Sequence, residues 1–449
     1  MITATDPLGQ PVQVQQAASV PALAGFVDGF LGYRPCITDV LAVADQDASL
    51  MVQACAAALW MFSESPAGPP RARAHLSRAR LAGLPASARE QGFAQAVAHW
   101  VDGDETAALA LHQQLAAQYP RDLAAIKLGQ YHAFNLGDSP GLLRLAWQAR
   151  DAAADLACWH GLVAFGFEQC HRLDAAERHA RQALALAPHE PWAQHALAHV
   201  LLTEGRFAEG RDTLQAVSAP WRGLTSFMRT HNFWHLALFH IELGDEAAAL
   251  ALYDQQVWGV DKTYSQDQVG AVSLLARLEA AGADVGQRWQ DLADALTQRV
   301  SDQVQPFLDL QYLYGLARAD RPEADTLLAN LQAHAARVPA SRRAAWQDVA
   351  VPAAQGLLLH GRGLARPASA RWAEAASALG RAQPGLIGIG GSHAQRDLFE
   401  QLWIDALQRA GQDAAVLNLL QPRANAAPAS RRLARRVSGA AARLGLPPA

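Results

Sequence analysis

Lysine is nearly missing from this chain: Lys127 and Lys262 are the only two among 38 basic residues. No block of Lys or Arg stands out, and the formal charge is only −4 over 449 residues. The electrostatic footprint of a nucleic-acid binder is therefore absent, and nucleic acid is not expected as a partner. Cysteine is scarce as well. Cys36, Cys55, Cys158 and Cys170 form no CxxC pair and are too few for a disulfide scaffold. No apolar run reaches the roughly eighteen residues of a membrane helix. The opening MITATDPLGQPVQVQQAASV has neither a charged n-region nor a continuous apolar h-region. The expectation is a cytoplasmic chain with no membrane partner. Sustained period-2 alternation of β-branched and aromatic residues is also missing, so strands are not expected.

What is present is helical. Apolar residues recur at i, i+3, i+4 and i+7 from end to end, and a 51% hydrophobic chain of this length exceeds one growing core. Either two domains or an elongated array follows. The segment FAQAVAHWVDGDETAALALHQQLAAQYP sets Gly103 at a turn, Ala108 five residues on, His112 at a bulky position and Pro120 at the end. That is the helix, turn, helix, proline layout of a tetratricopeptide repeat, whose period is 34 residues. Pro188 follows Pro120 by two such periods. Gly205 and Gly244 mark the turns of two further units, and Ala176, Ala180 and Ala249 are the small residues that let paired helices approach. One unit cannot bury its own apolar face, so neighbours must stack.

The expected fold is an all-α tetratricopeptide-type α-α superhelix (solenoid). Residues 1–88 read as a helical N-terminal cap, 89–265 as the repeat core, and 266–449 as C-terminal helical repeats closing over the groove. In the cap, one helix is predicted near 37–63, then a breaker at 65–70 and a basic helix around 71–83. Beyond 266 the period blurs, yet helices are predicted at 266–281, 284–300, 303–319, 321–337, 341–361, 369–382 and 393–410. The stretches QPRANAAPASRR (421–432) and LGLPPA (444–449) read as loose.

The segments WAQHALAHVLLTEGR, THNFWHLALFHIELGDEAAALALYD, DVGQRWQDL and GGSHAQRDLFEQLWIDAL resemble signature segments of the tetratricopeptide repeat protein 38 family. The resemblance spans about residues 20–445, and a generic repeat consensus predicts neither of the last two segments. It implies an α-solenoid and no particular activity.

Candidate site residues come from counting back from the turn glycines. His195 and His199 then fall on the groove-facing positions of one helix, and His231 and Trp234 on those of the next, with His235 beside them. Residues four apart turn through about 400°, so each pair shares a face. Three uses are open. The imidazoles could hold a divalent metal of the Zn or Fe type with Glu168 or Glu204 nearby. They could act as general acid or base on a small molecule. Or they could bind a peptide, protein or small molecule together with Trp192, Asn232 and Trp234. Against these stands plain packing of a polar-aromatic seam. HxxxH alone is a weak pattern, because the HExxH zinc signature puts Glu after the first His and here Ala196 and Asn232 follow. His132 could join the cluster. His240 falls on a packing position, and His160, His171 and His179 read as surface or packing residues.

A second candidate is GIGGSHAQRDLFEQ. It is neither GxSxG nor a dinucleotide-binding loop after a strand. Ser392 with Gln395 reads as a capping box, and the helix N-terminus, His393 and Arg396 could also meet an anion or a substrate carboxylate. Both a binding scaffold and an enzyme remain open.

Overall fold

The computed structural model describes residues 1–447. Among these, twenty-four α-helices follow one another with short turns, and the fold is the expected helical solenoid type. Helical hairpins run through Ala88–Val101 and Glu105–Gln118, Leu123–Asn135 and Ser139–Gln148, Ala157–Gln169 and Leu173–Leu186, Pro191–Thr203 and Phe207–Val217, then Ser226–Leu243 and Glu246–Leu252. The first four hairpins turn at Gly103 (φ 80°), Gly137 (73°), His171 (54°) and Gly205 (71°), each 34 residues after the last. All four occupy the left-handed region, where glycine carries no Cβ penalty. Gly244 (φ 76°) comes 39 residues after Gly205, and the five-residue 3-10 turn Ala219–Gly223 accounts for the extra length. Asp104, Asp138 and Asp245 cap second helices by accepting from the third backbone amide on. Ala108, Ala176, Ala180 and Ala249 are fully buried at the hairpin contacts.

The chain forms two compact units, Met1–Leu197 with Pro220–Met228, and Ala198–Ala219 with Arg229–Ala449. In the first unit, Arg89 and Asp122 form a buried ion pair at 2.7 Å, and Arg89 also donates to the Pro11 carbonyl. In the second, hairpins continue with Ser265–Ala281 and Arg288–Leu296, Pro306–Arg318 and Glu323–Ala335, Val351–Ala365 and Trp372–Ala382, then His393–Arg409 and Asp413–Ala426, followed by Arg431–Arg443.

Four expectations need correction. The N-terminus carries an antiparallel hairpin, Ile2–Thr5 with Pro11–Val14, turned at Asp6, whose carboxylate accepts from the amides of Leu8 and Gln10. Each strand is four residues, too short for alternation to register. The helix expected at 37–63 is split into Asp39–Ala44 and Leu50–Phe62. Asp47 sits in the break and accepts from the amides of Gln15, Gln16 and Ser49, while Gln53 donates to the Ala44 and Asp47 carbonyls. The helix expected at 341–361 begins as a π-helical stretch, Ala344–Ala350. Finally, 421–432 is mostly helical. Pro422 lies inside Asp413–Ala426, which Arg423 secures through Asp397 and Glu400, both at 2.7 Å, and Ser430 caps the last helix. Of the segment 444–449, the final two residues lie outside the described range.

Candidate functional site: a buried histidine cluster

The helices that end at Gly205 and Gly244 carry the histidines. Within the second unit, the His199 and His235 ring centroids are 4.5 Å apart with planes at 55°, and those of His231 and His235 are 4.9 Å apart at 83°. All three offer ring nitrogens within 4.8 Å of one another. His199 and His235 are 0% exposed and His231 8%. The first residue of the helix His393–Arg409 completes the arrangement: the His393 ring lies edge-on to His199 at 5.4 Å. Burial, and secondarily the neighbouring His199, push the His231 pKa down to about 3. A neutral imidazole is the form that ligates a metal or accepts a proton.

Around the rings, Trp234 stacks on His231 with planes 7° apart at 5.3 Å and meets the edge of His235 at 4.8 Å. The Arg277 guanidinium stands 5.3 Å from the Trp234 centroid. Asn232 is 1% exposed, and neither its side-chain nitrogen nor its oxygen has a hydrogen-bond partner among the described residues. An unmet buried amide costs roughly 1–3 kcal/mol, so a ligand that satisfies it gains by doing so. One residue before the first ring, Thr230 donates to the buried Asp267 at 3.1 Å.

Residues 171–220 match the family described as tetratricopeptide repeat. That match covers 50 of the 449 residues, and the fold around it is all-α helical hairpins. Solved structures similar to it include a monomeric mutant of IFIT1 with Gppp-AAAA, at 14% identity over 91% of this chain and 94% of that one, TM-score 0.41. Others are Naa15/Naa10 bound to HypK-THB (12%, 80% and 66%, TM-score 0.25) and the tetratricopeptide domain of P58(IPK) (13%, 72% and 99%, TM-score 0.22).

The remaining candidates of this repeat protein are placed as follows. His195 lies one turn before His199 on the same unbroken helix, stacked on Trp192 at 4.4 Å and beside Phe165 at 5.5 Å. Trp192 also meets Phe165 and Tyr33. Glu168 is fully buried and accepts from Gln169 at 2.6 Å. Glu204 is held by Arg206 at 2.8 Å. His132 stacks on His112 at 5.5 Å. Ser392 and Gln395 form the capping box, and Arg396 donates to the Gly391 carbonyl. His240 is held by Asp245 at 3.1 Å, His160 and His179 pair at 3.0 Å, and His171 is an exposed turn residue. Sequence reasoning missed Asp267 and Arg277. Both lie past residue 265, where the repeat period no longer supplies a register to count from. No described helix is long and apolar enough to cross a membrane.

Proposed function

We propose that this protein carries a divalent transition-metal centre built from His199, His231 and His235, and uses it on a small molecule held in the repeat interior. The observation that carries the reading is the convergence of three buried imidazoles from two helices with nitrogens within 4.8 Å. Imidazole sets of this kind suit Zn, Fe, Ni or Cu rather than Mg or Ca. When bound, such a metal supplies Lewis-acid polarisation or an activated water. The chain's own residues supply the rest: Asn232 offers a buried amide to a substrate, and Trp234 fixes the His231 ring by stacking.

The test is elemental analysis of the purified, metal-reconstituted protein. One transition metal per chain is expected, with His199→Ala and His235→Ala each lowering its affinity at least a hundredfold. Stoichiometric metal binding that survives both substitutions, or none at all in the native sequence, would return the rings to packing.

A further inference from the structure

A cavity of about 570 Å³ opens within the second unit, between the C-terminal part of Pro191–Thr203, the helix Ser226–Leu243 and the first turns of His393–Arg409. Its size falls in the range of ligand pockets, roughly 300–1,000 Å³. Four guanidiniums line it, those of Arg277, Arg396, Arg423 and Arg432, against three carboxylates, those of Glu242, Asp397 and Glu400. The carboxylates are already taken. Arg423 holds both Asp397 and Glu400, and Arg432 holds Glu242 at 2.7 Å, with Ser430 donating to the same group. Arg277 is the exception. It is 4% exposed, yet its nearest carboxylate oxygen, on Asp397, stands 3.9 Å away. Its hydrogen bonds go to the hydroxyl and carbonyl of Ser273 and the carbonyl of Ala394, three of the five donors a guanidinium carries. Burial lowers its pKa to about 10, against the opposing pull of Asp397 and Glu242. The lining also includes the apolar Leu238, Ile241 and Ile387.

We propose that this cavity binds a small organic carboxylate, with Arg277 receiving the carboxyl group and Leu238 and Ile241 covering the apolar body. A planar guanidinium with two donors to spare matches a carboxylate. His393 lines the cavity and also touches His199, so the chamber adjoins the histidine cluster. Its role as the substrate chamber rests on the metal-centre reading; the binding itself does not.

The experiment is calorimetric titration of the chelator-treated, metal-free protein with hexanoate, hexyl phosphate and hexylamine. Hexanoate is expected to bind at least tenfold more tightly than either of the others. Arg277→Gln should weaken it at least tenfold. Because that buried substitution can disturb folding, Ile387→Asp is the companion variant: Ile387 is 50% exposed, so its replacement spares the core while placing a like charge at the pocket. A tenfold loss there is expected too. Hexanoate binding no better than hexylamine, stronger binding of hexyl phosphate, or an Ile387→Asp variant with undiminished hexanoate affinity would each overturn the proposal. Elemental analysis of a metal-reconstituted aliquot of each preparation separates the two ideas: metal bound without hexanoate affinity sinks only this one, and hexanoate bound without metal affinity sinks only the other.

Discussion

Two groups of buried histidines can be set side by side in this molecule. In the first unit, His112 and His132 stack at 5.5 Å with planes 29° apart, enclosed by Phe93, Trp100 and Tyr131. In the second, His199, His231 and His235 meet at 55° and 83° with their nitrogens converging. Burial is equally deep in both, so burial does not distinguish a seam from a site. Ring orientation and number do. Near-parallel faces exchange dispersion contact, whereas the second group crosses three rings with nitrogens within 4.8 Å of one another.

The comparison can be broken in four ways. The largest effect expected is on metal: the double variant His199→Ala/His235→Ala should lose affinity by more than a hundredfold, about 2.7 kcal/mol or more, while His112→Leu leaves it unchanged in the same equilibrium dialysis. Next is packing. A Cβ on Gly129 would lie 2.7 Å from the His112 Cβ and 3.1 Å from Leu145. Gly129→Ala should therefore cost about 1–3 kcal/mol in urea unfolding and spare the metal. Third is pH. Burial lowers the His112 pKa to about 3 from an ordinary 6.5. Between those values the unfolded chain binds the extra proton, so stability falls as pH drops from about 6.5 toward 3, by up to about 1.4 kcal/mol per pH unit. His112→Leu should flatten that slope, seen as a smaller shift of the urea midpoint between pH 6.5 and pH 5. The smallest effect belongs to Asn232→Leu, which removes a buried, unmet amide and should change stability by under about 1 kcal/mol; a large destabilisation would show that the amide supports the fold instead of a ligand.

Much of the architecture was legible because the turns repeat. Gly103, Gly137, Gly205 and Gly244 punctuate the hairpins, and counting back from the last two put His195, His199 and His231 on groove-facing positions with His235 beside them. Where a side-chain-bearing residue takes the left-handed turn, as His171 (φ 54°) and Asp320 (φ 59°) do, the mark is lost. Of the cavity's lining, Arg396 and His393 were legible as a candidate anion contact, but Arg277 was not: it bonds to the Ala394 carbonyl across 117 residues, and no spacing rule reaches that far. Asp47 split the expected cap helix through bonds to Gln15 and Gln16, again a distant partnership. The capping box at Ser392 was readable since its partners are three residues apart.

The poverty in lysine has a practical side. Lys127 is buried, its ammonium donating to the Phe30 and Leu31 carbonyls and lying 3.7 Å from the Tyr33 ring centroid, while Lys262 is 47% exposed beside Asp291. An amine-reactive dye or cross-linker added to the folded protein thus finds one accessible side chain plus the chain's α-amino group. Fluorophores and surface attachments can be directed to Lys262 without engineering, on a loop that contributes no candidate ligand.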